Sequence, residues 1–179
     1  MAVELRYWDS GCFLAWLLPE RQRVPACRSV IRAAERRETK IVTAAHTLTE
    51  VIHLKGQPHL TREHEERIRR FFKRSFVVVR GITRFIAEDA RELIWKHGVK
   101  PKDALHVATA IRARIPLLET FDDGLIALSG KLGRPPIAIA HPHESEELGL
   151  WDATRSDNKD ESSETDPPNG NDTDDTPKE

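Results

Sequence analysis

The apolar positions fall into short runs separated by helical repeats. Leu5 to Trp8 reads as a strand that ends in Asp9, and Ser10 offers an N-cap for an apolar helix from Gly11 to Leu18, stopped by Pro19. Val24 to Arg37 places Val24, Cys27, Val30, Ile31 and Ala34 on one helical face, with a basic outer face. Lys40 to Ala44 is a second strand, and Thr47 opens a helix carrying Leu48, Val51, Ile52 and Leu54. Thr61 to Arg74 is a charged helix, Ser75 to Val79 a strand, and Thr83 to His97 an amphipathic helix with Phe85, Ile86, Ala90, Leu93 and Ile94 inward, closed by Gly98.

The stretch Lys100 to Asp123 has the densest chemistry. Pro101 suits a first helical turn, Asp103 follows where the macrodipole favours an anion, and His106 shares its face. Ile115 to Leu118 predicts a strand, Gly124 to Leu128 a short helix, and Ile137 to Ala140 a fifth strand. Strands this far apart cannot be hairpins, so the pattern predicts an α/β fold: a parallel sheet of about five strands with helices on both faces.

Charge changes the picture at Asp152. From there the chain has ten acids, three bases and hardly an apolar side chain, a net of −7. The whole chain carries −1, so residues 1–151 carry +6. The expectation is a basic domain over 1–151 and an acidic, disordered tail over 152–179. The tail either only solvates or folds over the basic face in competition with an anionic ligand. A basic domain suits an anionic polymer, and Arg67, Arg70, Lys73 and Arg74 form a candidate phosphate-facing patch.

Two cysteines, with no CxxC motif or Cys/His cluster, argue against a structural zinc site and a disulfide framework. With neither a signal peptide nor a spanning segment apparent, the expectation is a soluble cytoplasmic protein.

Asp9, Glu50, Asp103 and Asp122, with Asp123 beside the last, each follow a strand or open the next helix. In a parallel sheet those places converge at the carboxyl edge, where ligands bind. Clustered carboxylates repel unless a cation neutralises them, and Mg²⁺ or Mn²⁺ is the natural choice for hard oxygen donors. Each acid also has a plainer account. Asp9 suits a turn or cap, and Glu50 completes a capping box with Thr47. His106 either touches substrate or packs at the floor of the site, while His46 and His53 have no spacing that argues for a metal.

The segments YWDSGCFLAWLL, TAAHTLTEVIHL, KPKDALHVATAI and LLETFDDGLIAL, in that order between Val3 and Ala140, resemble the PIN domain superfamily. Within it the likeness is to VapC-type toxins of bacterial toxin–antitoxin pairs. The resemblance implies a three-layer α/β/α fold and a Mg²⁺- or Mn²⁺-dependent endoribonuclease. It makes Asp9, Glu50, Asp103 and Asp122 an acidic quartet, with Thr120 as the hydroxyl residue two before the last acid and Asp123 an accessory through water. It also implies a homodimer and an antitoxin partner. Trp8 departs from the smaller aliphatic residue common before the first acid, and the tail lies outside the pattern. Two other readings are a non-catalytic RNA-binding module and a nuclease acting on DNA or flap structures.

Overall fold

The computed structural model describes residues 3–18, 22–52 and 61–143. Pro19, His53, Leu54 and the acidic tail lie outside them. Strands β1 (Glu4–Trp8), β2 (Thr39–Ala44), β3 (Val77–Arg80), β4 (Leu117–Glu119) and β5 (Ala138–Ala140) form one parallel sheet in the order β3-β2-β1-β4-β5. Helices α1 (Ser10–Leu17), α2 (Val24–Glu35), α3 (Thr47–Glu50), α4 (Arg62–Phe72), α5 (Arg84–His97), α6 (Pro101–Arg112) and α7 (Asp123–Ile126) occupy the connections. The chain proceeds from β1 outward to β2 and β3, then returns to the other side of β1 for β4 and β5. That reversal opens a crevice between the carboxyl ends of β1 and β4.

Alternation along the strands divides the interior in two. Tyr7 and Val42 face one way, into a core with Ile86, Ala90 and Leu93 of α5, Val107 and Ala108 of α6, and Leu125 of α7. Trp8 and Ile41 face the other, where Phe13, Cys27, Val30, Ile31 and Phe71 from α1, α2 and α4 cover them. The outcome is the expected three-layer α/β/α arrangement.

Local differences from the sequence expectation have physical causes. Asp9, not Ser10, caps α1, because its carboxylate accepts from the Cys12 N–H. Helix α3 is only four residues long, and the Thr47–Glu50 capping box does not form. Its N-cap is His46, and the Thr47 hydroxyl is bonded instead to Thr43 at 2.7 Å. Phe85 does not point inward. It lies exposed on α5 with the Arg112 guanidinium over its ring, while Ile86, Ala90 and Leu93 fill the core. Gly98 closes α5 at φ 66°, a conformation that favours glycine.

One polar group is fully enclosed. Arg6 donates from Nη1 to Glu119 Oε1 at 2.9 Å and to the His143 carbonyl at 2.6 Å. Trp8 Nε1 donates to the other Glu119 oxygen at 2.6 Å. Glu119 is fully buried, and burial pushes its carboxyl up from the ordinary value against the pull of Arg6. The group ties β1 to β4 immediately before Asp9 and Thr120.

Removing one partner of such a pair strands a buried charge. Arg6→Met is expected to lower stability by about 3–5 kcal/mol in urea unfolding. Adding Glu119→Gln should recover at least half of the loss, because the amide oxygen still accepts from Trp8. A double variant no more stable than Arg6→Met would contradict this.

Candidate active site

The crevice between β1 and β4 is built by one hydroxyl. Thr120 Oγ1, fully buried just after β4, donates to Asp9 Oδ2 at 2.5 Å and accepts from the Asp122 N–H at 3.0 Å. Asp9 is further held by the Cys12 N–H on Oδ1 at 3.0 Å, and Asp122 caps α7 through the Leu125 N–H at 3.0 Å. Gly124 leaves room for that cap, since a Cβ there would stand 2.9 Å from Asp122 Oδ1. Both acids are therefore caps as well as candidate ligands, and the two accounts of Asp9 are not alternatives.

Asp103 enters from the first turn of α6 and is half-buried. Desolvation pushes its carboxyl up from the ordinary value, and the charges of Asp122 and Asp9 add to the shift. Lys100 opposes it. The Lys100 amino group bonds Asp122 Oδ2 at 3.0 Å, which holds the Asp122 carboxyl below its usual value. Asp103 thus lies within electrostatic reach of both Asp122 and Asp9.

Glu50 is turned differently. Lys102 Nζ approaches its Oε1 at 3.0 Å and His106 Nε2 its Oε2 at 3.2 Å. Burial would raise its pKa, but the His106 and Lys102 hydrogen bonds outweigh that and hold it down at about 2. With Glu50 ionised, His106 Nε2 donates to it, and Nδ1 pairs with the Tyr7 hydroxyl at 2.9 Å. His106 is buried, as the packing account of it holds, yet it also positions a carboxylate.

His46 is the clearest departure. Its spacing suggests no metal role, yet the turn before α3 brings it against His106 and Glu50, with imidazole centroids 4.1 Å apart. Asp123 is almost fully exposed in the first turn of α7, with His141 Nε2 3.8 Å from its Oδ1. The basic residues of α4 are not brought to the acids. Arg67, Arg70 and Arg74 line a hollow with Glu35 and Phe76, and Lys73 lines a groove with Leu48 and Ile52. Lys100, Lys102, His46 and Glu119 are neighbours of the candidate acids that sequence reasoning misses. The two lysines have a signal in KPKD, where they bracket the first turn that carries Asp103.

The acids have the chemistry of a hard-cation site. Their donors are carboxylate oxygens, and a divalent cation would relieve the repulsion from Asp122 and Asp9 that adds to the effect of burial on Asp103. Residues 6–131 match the family model of the PIN domain. The chain belongs to the PIN domain family.

Solved structures share the PIN fold. VapC20 of Mycobacterium tuberculosis, a toxin that cleaves the sarcin–ricin loop, is 18% identical with a TM-score of 0.56, over 68% of this chain and 93% of that one. A chain from a toxin–antitoxin complex of Klebsiella pneumoniae is 21% identical with a TM-score of 0.53, over 78% of this chain and 98% of that one. No curated protein matches the chain in sequence.

The Thr120 bridge in this PIN domain is open to a direct check. Thr120→Val keeps the shape but leaves a buried Asp9 oxygen without its donor, so stability should fall by about 1–3 kcal/mol in thermal or urea unfolding. Thr120→Ser should restore most of it. Equal stability of the valine and serine variants would show that the hydroxyl carries no weight.

Proposed function

We propose that this PIN domain is a metal-dependent endoribonuclease that hydrolyses RNA phosphodiester bonds as the toxin of a type II toxin–antitoxin pair. The observation that carries the reading is the position of Asp103 within electrostatic reach of Asp122 and Asp9 beside the switch point, its carboxyl pushed up first by burial and then by those two charges. Family membership supports nuclease chemistry, and the similar chains include an RNA-cleaving toxin and a member of a toxin–antitoxin complex.

Asp9, Asp103 and Asp122 would hold Mg²⁺ or Mn²⁺, with Glu50 acting through water. The bound ion supplies positive charge that polarises the phosphodiester and lowers the pKa of a water. The protein's part is to keep the acids ionised and aimed. Thr120 fixes the Asp9 oxygen, the α7 cap fixes Asp122, and the His106–Lys102 pair keeps Glu50 a carboxylate. Lys100 and Lys102 have largely exposed side chains beside the acids and are placed to receive a phosphate once their carboxylates are engaged elsewhere. Arg67, Arg70, Lys73 and Arg74 would engage the RNA backbone outside the crevice.

The reading includes a protein antitoxin, a homodimer and a cytoplasmic location. Among the described residues no helix is long and apolar enough to cross a membrane. The acidic segment 152–179 is proposed as a tail that competes with RNA for the basic domain.

Purified protein should cleave single-stranded or structured RNA with Mg²⁺ or Mn²⁺ and stop in EDTA. Asp103→Asn should lower the rate at least ~100-fold, above what losing a residue that only orients a ligand costs, while circular dichroism stays unchanged. RNA binding without cleavage would favour a non-catalytic module instead. An Asn variant as active as the parent would remove Asp103 from the site. Truncation after Trp151 should tighten RNA binding at low salt, and unchanged binding would end the competition idea.

A further inference from the structure

We propose that His46, Glu50 and His106 form a second metal site, selective for a transition-metal dication such as Zn²⁺ and adjoining, through Glu50, the carboxylate cluster of Asp9, Asp103 and Asp122. One ligand atom from each of the three residues lies within 4.8 Å of the other two. His106 Nε2 stands 3.2 Å and His46 Nε2 3.7 Å from the Glu50 carboxylate oxygen Oε2. Ligands about 2.0–2.1 Å from a tetrahedral zinc lie about 3.3 Å apart, so these side chains need only small rotations.

Two further features separate this cluster from an ordinary buried ion pair. Both His46 ring nitrogens are shut away from solvent and close no hydrogen bond of ordinary geometry, with the Glu50 carboxylate and the Lys102 main chain as their polar neighbours. Ring nitrogens placed this way are only weakly compensated for their lost hydration, and a metal at Nε2 would supply a direct partner. His106 already has the outer support that metal-bound histidines need. Its Nδ1 faces the Tyr7 hydroxyl at 2.9 Å, and Tyr7 is itself fully buried. With the metal on Nε2, the imidazole hydrogen moves to Nδ1 and is donated to the Tyr7 oxygen.

The donor set decides the kind of ion. Two imidazole nitrogens and one carboxylate suit Zn²⁺, Co²⁺ or Ni²⁺ far better than Mg²⁺, which favours oxygen and keeps its waters. The crevice acids offer the opposite set. Two ion classes would thus be sorted at neighbouring places, and the second site stands whether or not the nuclease reading does.

The test uses the full chain, stripped of metal, with Mg²⁺ present in excess to fill the carboxylate cluster. Titration with Zn²⁺ in a calorimeter should show one site, and Co²⁺ should give the visible absorption of a tetrahedral nitrogen–oxygen complex. His46→Ala and His106→Gln should each weaken Zn²⁺ binding at least ~100-fold, and Tyr7→Phe about 10-fold. Asp103→Asn should leave it unchanged. His46 is only partly buried, in the turn before α3, so its variant remains informative even if His106→Gln fails to fold. Zinc binding that survives His46→Ala, or that disappears with Asp103→Asn, overturns the proposal, as does the absence of binding to the parent.

Discussion

Everything at the crevice depends on the pairing of β1 with β4. Trp8 lies in register with Glu119, and the Asp9 N–H continues the ladder to the Glu119 carbonyl. Asp9 and Thr120 are therefore neighbours by register, although 111 residues separate them in sequence. The buried Arg6–Glu119–Trp8 group closes the same two strands from the side. An ion pair this enclosed is a costly way to join strands, and apolar residues of similar volume would often be at least as stable. Its added contribution is direction: each Glu119 oxygen has a fixed partner on β1, so a slip by one residue would leave a charge unpaired.

Much of this architecture is legible in the sequence, for reasons that can be named. Long helices such as α5 and α6 show their periodicity and caps directly: Thr83, Gly98 and Pro101 each stand where local backbone chemistry requires them. The spacing of the strands is enough to make the sheet parallel. The acids are legible because each comes just after a strand or opens a helix, and topology carries such positions to one edge.

The rest is hidden because it depends on contacts between residues far apart in the chain. Phe85 fits an inward helical pattern, yet the structure leaves it outside under Arg112. Thr47 and Glu50 have capping-box spacing, but the Thr43 hydroxyl, already donating to the Trp8 carbonyl, engages Thr47 instead. Glu119 reads as one polar residue at the end of a short apolar strand, and nothing local announces that Arg6 waits across the sheet. His46 is the same case. Its partners come from its own helix and from α6, and only the three-dimensional fold makes them a group.

Glu50 is one side chain shared by two neighbourhoods. Its Oε1 is drawn to Lys102, on the first turn that carries Asp103, and its Oε2 to the imidazoles of His106 and His46. Helix α3, at four residues, is too short to hold the side chain by its own hydrogen bonds, so these partners set its direction. Any cation that draws on Oε2 competes with the His106 hydrogen bond, and any anion that attracts Lys102 releases Oε1. A phosphate arriving at the crevice and a metal arriving at the histidines would therefore act on the same carboxylate from opposite sides. That coupling arises from the placement of one glutamate and requires no movement of the sheet.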